Sequence, residues 1–108
     1  MSLQGKPIRL RPAAAADVRA IVEHYRVDSG PGIARAFADQ LQRALVSIGR
    51  GKAPGSPRLA VGLDLPGLRA WTLPRYPQLV LGFERPDHVD VLRVLHGVRD
   101  MPLDFRGA

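Results

Sequence analysis

The chain of 108 residues is 45% hydrophobic, enough for one modest core and too little for two, so residues 1–108 are expected to form a single domain. It has no cysteine, which excludes disulfides, thiolate catalysis and cysteine-ligated zinc together. Its net charge of +6 is carried by 14 arginines and two lysines against ten carboxylates, a balance that suits a polyanion or an acidic protein partner, because guanidinium groups grip phosphate or carboxylate bidentately.

In chain order, residues 1–6 hold no apolar run that could form the core of a signal peptide and are expected to be flexible. No later run approaches the ~18 apolar residues of a membrane span, so no membrane partner is expected and the location is read as cytoplasmic. Ile8 to Arg11 alternates apolar and basic residues, a short first strand ended by Pro12. From Ala13 the period becomes helical, with Val18, Ile21, Val22 and Tyr25 on one face and Asp17 near the start, favourable to the helix dipole. Ser29-Gly30-Pro31-Gly32 stops this helix and gives a four-residue connection.

A second helix is expected from Ile33 to Ile48, because Ile33, Phe37, Leu41, Leu45 and Ile48 recur along one stripe. The short connection makes the two helices an antiparallel hairpin. Residues 49–67 hold five glycines and three prolines without a sustained period and read as a long loop. Three strands follow, at Leu68 to Leu73, Gln78 to Arg85 and Val89 to His96, with short connections that make an antiparallel meander. Leu79, Leu81 and Phe83 should share one strand face, as should Leu92 and Val94, so that one side of the sheet meets the helices. The order β-α-α-β-β-β predicts an α+β domain, a helix hairpin packed on a small antiparallel sheet.

Few residues point to chemistry. His24, His88 and His96 are scattered and show no metal-ligand spacing, so neither metal nor cofactor is expected. No Ser/His/Asp order, phosphate-binding glycine motif or paired-carboxylate signature is present. By strand alternation, Arg93 and His96 should point to opposite faces unless the strand bulges between them. Trp71 reads as core, whereas Tyr76, between two prolines, could stack on a base.

From Ile8 to Pro102 the chain resembles the ParE/RelE superfamily of bacterial toxin–antitoxin (plasmid stabilisation) toxins. The resemblance rests on Asp17-Val18 opening the first helix, Tyr25 near its end, Gly67-Leu68-Arg69 entering a strand and, most specifically, Leu95-His96-Gly97-Val98-Arg99-Asp100 after the last strand. It implies a RelE/ParE-like fold and one of two activities: ParE-like inhibition of DNA gyrase, or RelE-like cleavage of mRNA on the ribosome. RelE-like toxins commonly carry a tyrosine near the C-terminus, but here Arg99-Asp100 is followed by Met101-Pro102-Leu103, which favours the ParE-like branch.

On the ParE-like reading, Arg69, Arg75, Tyr76, Arg93 and Arg99 form the target-binding patch. A cognate antitoxin, joined to the toxin in a hetero-oligomer, would meet the hairpin over Val18, Tyr25, Phe37 and Leu41. On the alternative, Arg75, Arg93, His96 and Arg99 would supply proton transfer and a phosphate clamp. A third possibility is a degenerate member that only binds antitoxin. Residues 103–108 are left as a tail.

Overall fold

The computed structural model describes residues 5–97. In chain order it has β1 (Ile8–Leu10), α1 (Pro12–Ser29), α2 (Pro31–Gly49), α3 (Arg58–Gly62), β2 (Arg69–Leu73), β3 (Tyr76–Glu84) and β4 (Val89–His96). The four strands form one sheet in the order β1-β4-β3-β2. The last three make the expected antiparallel meander, but β1 lies parallel to β4, with Ile8 opposite Val89 and Leu10 opposite Val91. The sheet is therefore mixed rather than wholly antiparallel. Parallel neighbours need a long crossover, which the helix hairpin and the meander together supply.

Pro12 occupies the first position of α1, where its missing N–H costs nothing, so the helix begins there rather than at Ala13. Asp17 consequently lies beyond the first turn, out of reach of the helix N-terminus. The hairpin connection is one residue long, not four. Gly30, at φ +94°, donates its N–H to the Arg26 carbonyl and offers its own carbonyl to the Ala34 N–H, ending one helix and starting the next. Lys6, expected to be flexible, is tied down. Its N–H donates to the Gly49 carbonyl at 2.8 Å and its ammonium to the Arg85 carbonyl at 2.9 Å.

The sheet separates two apolar clusters. On the hairpin side, Phe37, Leu41 and Ile48 of α2 and Ala14 of α1 pack with Trp71, Leu73, Val80, Val89, Val91 and Val94 of the strands. Trp71 is buried and donates its indole N–H to the Ala53 carbonyl at 2.9 Å. On the far side lie Leu68 and Leu81, with Leu59, Leu63, Leu79, Phe83, Leu92 and Leu95 half-buried around them. Leu79, Leu81 and Phe83 do share a face, but it is turned away from the helices. It is covered by α3, a short helix inside the stretch expected to be an unstructured loop. Ser56 pairs with Ala70 at the free edge of β2 and holds this loop against the sheet.

Leu92 and Val94 fall on opposite faces, because the strand bulges between them. Gly82 pairs with Val91 and Leu81 with Arg93, leaving Leu92 as the extra residue of β4. Gly82 is needed there: a Cβ at that position would collide with the Asp90 backbone carbonyl.

Candidate functional site

β1 covers β4 only as far as Val91, so among the described residues the edge of β4 beyond it has no strand partner. Asp17 of α1 fills that place. Its carboxylate accepts the Val94 N–H at 2.9 Å and two Arg93 N–H groups, Nε at 2.7 Å and Nη2 at 2.8 Å. Partial burial pushes the Asp17 carboxyl up, and the hydrogen bonds from Arg93 and Val94 with the Arg93 charge outweigh it, so the group sits below its ordinary 3.8. A second fork, Arg11 to Asp90 at 3.0 and 2.8 Å, pins the end of β1 and holds Asp90 below 3.8 as well.

Beside Asp17, between α1 and the adjoining ends of β3 and β4, opens a cleft of about 370 Å³. Ala20, Ile21, Pro77 and Val94 give it apolar walls, and Asp17, His24, Tyr25, Gln78 and His96 line it with polar groups. His96 stands directly opposite Gln78 in the strand register. The β4 bulge lies before Arg93, and pairing is regular from Arg93 to His96, so these two residues keep the opposite faces that alternation predicts; it is Asp17, gripped by Arg93, that lines one cleft with His96. On its rim, His24 and Asp28 pair at 3.1 Å, both well exposed.

An aromatic cluster backs the cleft. The Tyr25 and Phe37 ring centroids are 5.2 Å apart, those of Phe37 and Tyr76 5.2 Å and those of Tyr25 and Tyr76 6.0 Å. Tyr76 is therefore the first residue of β3, packed against the hairpin, rather than a loop residue. The connection before it is a two-residue turn, Pro74-Arg75. Arg75 stands exposed at its tip with φ +70°, a left-handed conformation that costs a non-glycine residue about 1–2 kcal/mol.

The sequence-derived residues divide accordingly. His96 and Tyr25 line the cleft, Arg93 is joined to it only through Asp17, and Tyr76 and Arg75 stand at the turn that opens β3. Arg69 begins β2, at the strand end opposite Arg75. Arg99 lies outside the described residues, as does the 103–108 tail. Of the hairpin set, Phe37 and Leu41 are buried and Val18 is partly buried against the same core, so these three shape the hairpin from beneath, and Tyr25 reaches the cleft.

Two residues were not read from the sequence as site residues. Asp17 enters the sequence reading through the helix dipole and the family resemblance, and nothing local announces a partner 76 positions away. Gln78 had a usable signal: a polar residue two positions from Val80, in the inward register of β3. Among the described residues, no group of three or more His, Cys, Asp or Glu could hold a metal ion, and no helix is long and apolar enough to cross a membrane.

Comparison with known proteins adds the family. Ten solved chains match. One, from the chromosomal ParDE toxin–antitoxin system of P. aeruginosa, superposes with a TM-score of 0.71 at 24% identity, over 86% of this chain and 97% of that one, a likeness of fold. No curated protein matches. The family model described as the ParE toxin of the type II toxin–antitoxin system parDE matches residues 8–101. With nearly all of its length inside that match, the chain belongs to the ParE toxin family of type II toxin–antitoxin systems.

Proposed function

We propose that this toxin acts in the cytoplasm by binding and inhibiting DNA gyrase, performs no covalent chemistry of its own, and is neutralised by a cognate antitoxin. The observation that carries the reading is the Asp17–Arg93 fork. A ribonuclease of the RelE-like kind would need the Arg93 guanidinium to stabilise phosphorane charge, whereas here two of its N–H groups are committed to a carboxylate that also ties α1 to β4. Of the other members of the alternative catalytic set, His96 lines the cleft, Arg75 stands exposed on the turn before β3, and Arg99 lies outside the described residues.

The target surface is formed by the Pro74-Arg75 turn with Tyr76 behind it, extended by the arginines of the strands. The strained backbone at Arg75 supports this, since left-handed non-glycine residues persist where the exposed side chain is needed. The antitoxin is an acidic polypeptide that lays a helix on the α1–α2 hairpin and an extended segment along the sheet.

Expression without antitoxin tests the reading in cells. The expected phenotype is filamentation with DNA damage, lost on Arg75→Ala substitution. Translation arrest with cleaved messenger would replace it by the ribonuclease reading.

A further inference from the structure

The cleft between α1 and the β3–β4 strand ends is lined by a polar residue that is not fully satisfied. Gln78 is 6% exposed, and among the described residues its side-chain carbonyl Oε1 finds no hydrogen-bond donor. Its Nε2 donates to the Tyr25 hydroxyl at 3.4 Å, a long bond that leaves the Tyr25 proton to be given elsewhere. A buried acceptor without a donor costs roughly 1–3 kcal/mol; Oε1 is itself shielded, but Gln78 lines the cleft, so a turn of its carboxamide presents it to something that enters.

We propose that this cleft is a binding subsite for a neutral amide, an Asn or Gln side chain or a peptide group, contributed by the antitoxin polypeptide. Gln78 Oε1 accepts the amide N–H, and the Tyr25 hydroxyl donates to the amide carbonyl. An amide presents both a donor and an acceptor, so it also satisfies the Gln78 carboxamide turned the other way round. Ala20, Ile21 and Pro77 supply apolar walls for the aliphatic part of the entering residue, and about 370 Å³ accommodates one or two side chains.

A nucleobase edge carries similar donors and acceptors, but the lining argues against nucleic acid. Among the described residues, neither arginine nor lysine lines this cleft, and its one carboxylate, Asp17, is already held by Arg93. Nucleic-acid binding rests on phosphate contacts, for which this lining supplies no cation of its own. The identity of the polypeptide rests on the neutralisation proposed above.

The test compares the full-length toxin and its Gln78→Leu and Tyr25→Phe variants in binding to the antitoxin encoded beside it, together with the melting temperature of each free toxin. Gln78→Leu should weaken binding about tenfold and Tyr25→Phe about threefold. The melting temperature of the free Gln78→Leu toxin should stay the same or rise, because an unsatisfied buried acceptor has gone. A structural role for Gln78 predicts instead that melting temperature and affinity fall together. Unchanged affinity would mean that solvent alone satisfies Gln78, and would overturn the subsite, as would a variant effect confined to oligonucleotide binding. If the wild-type toxin fails to bind that antitoxin at all, the neutralisation reading falls first and takes the subsite's partner with it.

Discussion

The two faces of the sheet are built to different standards. Toward the hairpin, Phe37, Val80, Val89 and Val91 have no exposed surface, and α1 and α2 cover the face with 18 and 19 residues. Toward the loop, one helix of five residues and a strap held by Ser56 cover a face on which Leu79, Phe83, Leu92 and Leu95 remain partly open. Folding free energy is therefore concentrated on the hairpin side. The proposed functional features sit at the margin of that tight side, where polar residues enter an otherwise apolar layer: Asp17 at the edge of β4, Gln78 on the cleft wall and Arg75 on the turn.

The comparison would break most visibly at Phe37. Phe37→Ala should cost about 3–5 kcal/mol, whereas Leu79→Ala on the loop face should cost roughly 1–2 kcal/mol; equal losses in denaturant unfolding would show that the faces contribute alike. Gly82→Ala should come next, at about 1–3 kcal/mol, since its methyl group meets the Asp90 backbone rather than a movable side chain.

Asp17→Asn should cost about 1–2 kcal/mol, discounted because the Arg93 side chain is 47% exposed. Its signature is pH dependence. The folded-state pKa of Asp17 is depressed, so the unfolded chain binds the proton more readily; the contribution is complete above 3.8 and is lost as pH falls through the lower folded value. Stability measured from pH 6 down to pH 2 should therefore fall less steeply at the acid end in the variant, with Asp90, Asp87 and Glu23, whose carboxyls are also lowered by their partners, supplying the slope that remains.

The smallest effect runs the other way. Arg75→Gly should stabilise by up to about 1 kcal/mol, the relief of the left-handed backbone being partly offset by the greater freedom of glycine in the unfolded chain. The same variant should lose toxicity, a gain and a loss that separate the turn from the core.

How much of this was legible in the sequence depended on distance along the chain. The helix pair, the meander and the bounds of β4 follow from local periodicity, and the structure has them. Parallel pairing of β1 does not, because three residues carry no signal for which strand they will join. The inward face of β3 was misread because apolar residues run through both registers from Leu79 to Phe83, so alternation alone could not say that Val80 is the residue facing the helices. The β4 bulge, which puts Leu92 and Val94 on opposite faces, depends on Gly82 in the neighbouring strand. The Asp17–Arg93 fork spans 76 positions and becomes visible only when α1 meets β4.

The proposed action of this ParE-family chain on gyrase is best tested by titrating purified gyrase with the toxin and following supercoiling and cleavage-complex formation, with and without the antitoxin encoded beside it. The expected result is inhibition that the antitoxin reverses and that Arg75→Gly abolishes while the variant stays folded. Unchanged supercoiling and cleavage-complex levels at saturating toxin would contradict it.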